Sequence, residues 1–296
     1  MFFAAGNQEV RSTIGLLVGA EDDLRGRLGG WLAKKQGADI VGDCTRSLEL
    51  VDDVEVEARL LRTFKCAPTP GDIAKPITDE LLAALPSQRN AERVRAKLAR
   101  MAEAAQLLER TCDGLHDVFS TVINRIFVVE LDKEGGGSSM RSVGAIWANP
   151  TSSASVWDLA EFLVHELTHQ TLILDEQVHG HFTDRTAAHS GSGGFLPKSS
   201  IRNARRPLGP VFHSLAVALE VASFRALVGE QYEPKLHPGT DRLLASAQDT
   251  IRSIVWELDW QKQFRPRGRY LFEAYRDLWE RLACQQPGVI PRLIQE

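Results

Sequence analysis

The sequence predicts a mainly α fold with a small β element (α+β), in which a metal-binding helix packs beside a short hairpin or sheet. Three observations predict it. Long amphipathic stretches dominate both ends of the chain. A single β-rich run interrupts them between Val122 and Trp147. The pattern His165-Glu166-Leu167-Thr168-His169 then follows within a capped helical segment.

From the N-terminus, Val51 to Phe64 carries apolar residues at helical spacing. A long charged helix is expected from roughly Gln88 to Phe119, with Val94, Leu98, Met101, Ala105, Leu108 and Leu115 along one side. Pro68-Thr69-Pro70-Gly71 and Leu85-Pro86-Ser87 interrupt these helices. The texture changes at Val122. Val122-Ile123 and Ile126 to Val129 read as one strand, Gly135-Gly136-Gly137-Ser138-Ser139 as a loose tip, and Val143 to Trp147 as the returning strand of a hairpin. Asn149-Pro150 ends it. Asp184 to Ser200 is rich in Gly, Ser and Thr, the composition of a lid or a structureless connection. Pro207 and Pro210 open a helix running to about Val228. Two further helices, Asp241 to Trp260 and Tyr270 to Cys284, are joined by a basic turn at Arg265 to Arg269. This divides the chain into a helical region over 1–120, a candidate subdomain, and a metal-binding catalytic region with C-terminal helices over 121–296.

Composition sets the outer limits. The chain has 296 residues, a formal net charge of -4 and 43% apolar residues, ordinary values for a soluble globular protein. That balance gives no reason to expect a nucleic-acid or membrane partner. Cys44, Cys66, Cys112 and Cys284 lack CxxC spacing and suit reduced thiols. The first residues lack the basic and apolar segments of a signal peptide, so a cytoplasmic location is expected. The oligomeric state is not encoded in any recognisable pattern.

HExxH places two imidazoles four residues apart, on one face of a helix, where they can grip one metal ion. Ser155 and Asp158 form a capping-box pattern at the start of that helix, and Val156, Leu159, Phe162, Leu163 and Leu167 follow at helical spacing. Two solvent-facing histidines on a surface helix are the plain alternative. A third ligand is needed. Asp175 lies six residues beyond His169, but Thr171 to Leu174 favours continuing the helix over bringing Asp175 round. His179 and His181 read as loop residues facing solvent or substrate, and His189 and His237 have no supporting pattern. His213, early in an apolar helix with arginines just upstream, is the preferred third ligand. Glu220, two turns further on, is the carboxylate alternative.

The series His165 to His169, Leu172, Asp175-Glu176, His179-Gly180-His181-Phe182, Ile201-Arg202, Arg206-Pro207-Leu208 and Val211-Phe212-His213-Ser214 resembles the HExxH-type Fe(II)/2-oxoglutarate-dependent peptide β-hydroxylases. The resemblance spans about Val122 to Leu227. It implies an oxygenase that hydroxylates a side-chain β-carbon in a peptide, a natural-product precursor or a related amino-acid substrate. Fe(II) would be held by His165, His169 and His213. The distal carboxylate of 2-oxoglutarate would need a cation, for which Arg206 or Arg202 is placed and Arg205 is less supported. The competing expectation is a cytoplasmic Zn(II) metallopeptidase. There Glu166 would be the general base; in an oxygenase it would hydrogen-bond around the metal ligands.

Overall fold

A computed structural model describes residues 1–42, 48–63, 82–83, 89–130, 135–229, 232–257 and 259–285. In chain order the elements are α1 (Phe2–Ala5), α2 (Asn7–Val18), α3 (Leu24–Gln36), α4 (Ala38–Val41), β1 (Glu49–Val51), α5 (Val54–Thr63), α6 (Ala91–Thr111) and α7 (Asp113–Val122). There follow β2 (Arg125–Val128), β3 (Gly135–Gly137), β4 (Ala145–Asn149), α8 (Val156–His179), α9 (Arg185–Ser190), α10 (Leu208–Val228), α11 (Thr240–Val255), a 3-10 turn (Trp260–Gln263) and α12 (Pro266–Gln285). The fold is mainly α with one four-stranded sheet, as the sequence predicts. Contacts divide the chain into two compact units: Asn7 to Leu174 in one, Met1–Gly6 with the chain from Asp175 onward in the other.

In the first unit the long charged segment is two helices. Asn90 caps α6 by accepting from the Arg93 amide, and Cys112, extended at φ -160°, breaks the run before α7 begins. The Pro68–Gly71 and Leu85–Ser87 breaks lie outside the described residues, as do Phe64 and Gln88.

The sheet order is β1-β2-β4-β3. β2 pairs in parallel with both β1 and β4, and only β3 is antiparallel, to β4. The expected β2–β4 hairpin is thus corrected. Parallel neighbours cannot be joined by a tight turn, and the glycines read as a loose tip are a strand on the far side of β4. β4 is internal and has no free edge for an added strand. β2 is buried along its length, as parallel strands covered on both faces must be. Its one cation, Arg125, is satisfied by Glu49 and by the Asp39 and Ile40 carbonyls. Leu60, Leu61, Phe127 and Val51 fill the core behind the sheet.

The start of α8 is the predicted capping box. Ser155 Oγ accepts from the Asp158 amide at 3.0 Å, while the Asp158 carboxylate accepts from the Ser155 amide at 2.7 Å. The helix then runs unbroken to His179 and ends where Gly180 takes φ +68°.

In the second unit α10 is the central helix, with α11 and α12 packed against it and α1 in contact with both α10 and α12. By length and composition α10 could cross a bilayer, but it is almost entirely buried within the protein, as a core helix is. Phe182, Phe212, Phe264 and Phe272 form an aromatic cluster beside it, with ring centroids 5.6 to 6.1 Å apart for the contacting pairs. The Gly/Ser-rich segment is ordered. Asp184 caps α9 through the Ala187 amide, and 197–206 form a tight hairpin closed by the Lys198–Arg205 bridge and the Arg206 amide on the Pro197 carbonyl. The basic turn expected at Arg265–Arg269 is largely the first turn of α12, which Pro266 opens.

Candidate metal centre

Between Asp158 and Glu176, α8 is buried at every position except Phe162, His165 and His169. Those three share one face by their spacing of three and four. The helix therefore lies in the core and opens along a single stripe that carries both motif histidines. A surface helix with two solvated histidines would show the reverse pattern.

The two imidazoles converge: their Nε2 atoms are 3.2 Å apart and the ring centroids 4.9 Å apart. Two nitrogens each about 2.0–2.1 Å from one metal stand about 3.3 Å apart at a tetrahedral angle and about 2.9 Å apart at a right angle. The pair fits a divalent metal of either geometry without rearrangement. Burial draws the His169 imidazole down to about 4, so it is neutral at physiological pH, the form that ligates.

Glu166 faces inward. Its carboxylate comes within 3.7 Å of His165 Nε2. Burial raises its carboxyl to about 7, opposed by the adjacent Ser138. Its Oε2 and the Ser138 hydroxyl are both buried and do not meet in hydrogen-bond geometry. Ser138 directly follows β3. A Cβ at Gly136 would stand 2.3 Å from the Phe162 ring, so only glycine lets this strand run so close to α8.

Gln170, next to His169, escaped sequence reasoning. Its Oε1 accepts from the Gly144 amide at 2.5 Å and its Nε2 donates to the Ala145 carbonyl at 3.0 Å. It fixes the register of α8 against the entry to β4. The available signal was a lone amide side chain inside a run the structure buries. Gln170→Leu strands two backbone groups in the interior, at about 1–3 kcal/mol each. A fall in the urea unfolding midpoint worth roughly 2–4 kcal/mol is expected, against almost none for the exposed Gln177→Leu.

The remaining candidates belong to the second unit. Asp175 is fully buried and already engaged: His181 Nε2 lies 2.8 Å from Oδ1, and Arg267 binds both carboxylate oxygens. His181, expected to be a solvated or substrate-facing loop residue, is itself fully buried in this network. Glu220 is held by the Met1 amino group at 2.7 Å, the Phe3 and Ala4 amides and the Tyr275 hydroxyl. His189 pairs with Glu176 at 3.2 Å. His179 and His237 are half-buried.

His213 is half-buried near the start of α10. The next residue, Ser214, binds the Ile201 amide and the Ser199 hydroxyl, each at 2.8 Å. The hairpin carrying Arg202, Arg205 and Arg206 is thereby tied beside His213. Arg206 is partly buried, whereas Arg202 and Arg205 are exposed. Among the described residues no three His, Cys, Asp or Glu side chains are gathered as a ready metal site. No protein-family model matches the chain, and no curated protein matches it.

Proposed function

We propose that the protein is an Fe(II)/2-oxoglutarate-dependent oxygenase that hydroxylates a side-chain β-carbon in a peptide or related amino-acid substrate in the cytoplasm. The observation that carries a metal-dependent activity is the convergence of His165 and His169 on the single open stripe of a buried helix. Iron and its co-substrate rest on the resemblance of the residues from His165 to Ser214, which the anchored arginine hairpin beside His213 supports. When bound, Fe(II) with 2-oxoglutarate supplies the oxidising power to replace a C–H bond by C–OH using O₂.

The chain's own residues do the rest. His165 and His169 would donate two nitrogens, and the resemblance would have His213 give a third. Arg206, the less exposed of the two preferred arginines, would fork onto the distal carboxylate of the co-substrate, with Arg202 as the alternative. Glu166, whose buried Oε2 has no partner in the structure, would hydrogen-bond around the metal ligands, with the Ser138 hydroxyl beside it. With β4 internal, a peptide is best placed on the outer edge of β3, which no described strand occupies and which leads into Ser138 beside Glu166.

One observation favours a second reading, a zinc peptidase. The Glu166 carboxylate, 3.7 Å from His165 Nε2 and with one oxygen unpartnered, is placed as a general base for metal-bound water would be. The deciding experiment is an anaerobic titration of the metal-free protein with Fe(II) and then 2-oxoglutarate. A weak visible charge-transfer band that needs both additions and disappears in His213→Ala is expected. Absence of the band with iron confirmed bound overturns the oxygenase. In that event Glu166→Gln should abolish peptide hydrolysis while retaining metal.

A further inference from the structure

The first unit contains a cavity that the proposed chemistry does not use. Its walls follow from residue spacing. Ala102, Ala105, Gln106 and Glu109 recur at helical intervals, so they form one stripe along α6. His116, Phe119 and Ser120 do the same on α7. Leu48, just before β1, and Leu50 within it alternate with Glu49 and point to one face of the strand. Arg25 of α3 completes the lining, with its Nη1 donating to the Ser120 carbonyl at 2.6 Å. Together they line an open cavity of about 400 Å³.

Small side chains make the space. Ala102 and Ala105 bring only methyl groups to the α6 wall, and the room a longer side chain would take is left open. An apolar cavity of about 150 Å³ already holds a benzene molecule, and small-ligand sites run from about 300 Å³ upward. The lining selects by polarity as well as by size. Leu48, Leu50, Ala102, Ala105 and Phe119 offer apolar contact. The Gln106 amide and the His116 imidazole add a hydrogen-bond donor and acceptor set. Arg25 and Glu109 place one fixed charge of each sign in the same lining. A carboxylate would meet Glu109 and an ammonium would meet Arg25, so the cavity disfavours a ligand ion of either sign.

We propose that this cavity binds a neutral alcohol with an apolar body. The hydrocarbon part lies among Leu48, Leu50, Ala102, Ala105 and Phe119, and the hydroxyl reaches Gln106 and His116. That chemistry is offered by an aliphatic alcohol or by an alkylphenol. The site lies within one unit and needs no metal, so its test is independent of the oxygenase reading.

The test is calorimetric titration of the full chain, without metal, using octan-1-ol, 4-butylphenol, octanoate and octylamine. At least one of the two alcohols should bind saturably, and octanoate and octylammonium should bind at least about tenfold more weakly. Ala102→Leu and Ala105→Leu fill the cavity, and each should weaken binding about tenfold or more with the melting temperature kept or raised. His116→Phe should cost about threefold or more through the lost hydrogen bond. Glu103→Leu, at an exposed position of α6 outside the lining, should leave affinity unchanged. Tighter binding of octan-1-ol assigns the ligand to the aliphatic alcohols, and tighter binding of 4-butylphenol assigns it to the phenols. No saturable binding of either alcohol up to about 1 mM overturns the proposal. So does an ion that binds as tightly as the better alcohol, or affinity indifferent to the leucine variants or to His116→Phe.

Discussion

Asp175→Ala should be the most destabilising single substitution outside the aromatic core, at about 3–5 kcal/mol. The carboxylate has no solvent exposure, and it neutralises Arg267, whose side chain is only 13% exposed, while accepting from the equally buried His181. Arg267 Nε reaches both oxygens at 3.0 and 3.1 Å, and Nη2 reaches Oδ2 at 2.5 Å. The network joins the last turns of α8, the chain just after Gly180 and the start of α12, so three segments lose a common anchor. Removing the anion leaves a largely buried guanidinium without this carboxylate, a cost larger than the pair's net worth. Asp175→Asn keeps the shape and some hydrogen bonding, and should cost less. A loss under about 1 kcal/mol for Asp175→Ala, by urea unfolding at pH 7, would mean that water relieves Arg267 readily.

The same carboxylate sets an acid limb. Burial alone would raise it, but the hydrogen bonds from His181 and Arg267 outweigh burial and hold it well below the ordinary carboxylate range. A carboxyl depressed in the folded state contributes stability that is present above its unfolded value of about 3.9 and is lost as pH falls through the folded value. The stability gap between the native chain and Asp175→Asn should therefore be widest near neutrality and begin to close below about pH 4.

The legible parts of the fold were those determined by local chemistry. Ser155 and Asp158 announce the start of α8 because capping is a matter of three residues. The prolines and continuous apolar run of α10 mark its start and its burial. The sheet was misread for a physical reason. Glycines between two β-rich runs signal a turn, whereas here Gly136 is needed because the Phe162 ring occupies the space of a side chain. β2 finds one of its partners, β1, far upstream, and no local pattern encodes that register. Asp175 and Arg267 are 92 positions apart, so the sequence could place His181 only by its loop neighbours and assigned it to solvent. The motif histidines were legible because four-residue spacing is itself geometry. What covers the rest of α8 was not.

His165→Ala and His169→Ala should each weaken divalent-metal binding by about a hundredfold or more while leaving the fold intact. Apparent binding energies of about 10–16 kcal/mol are shared over four ligands in protein zinc sites, so each ligand carries roughly 3 kcal/mol. Two nitrogens already 3.2 Å apart spend little of that on rearrangement. The His165 side chain is 18% exposed on the open stripe, so its removal creates no sealed cavity in the metal-free protein. Equilibrium binding of Zn(II) and of anaerobic Fe(II) should thus fall in both variants with metal-free melting temperatures close to that of the native chain. The control is Gln177→Ala, exposed on the same helix, with metal affinity unchanged. If His165→Ala unfolds the metal-free chain, the imidazole pair is a structural contact, because a ligand's contribution exists only when metal is present. If both variants keep the native affinity, the convergence of the two rings has no metal behind it, and the oxygenase and peptidase readings fail together.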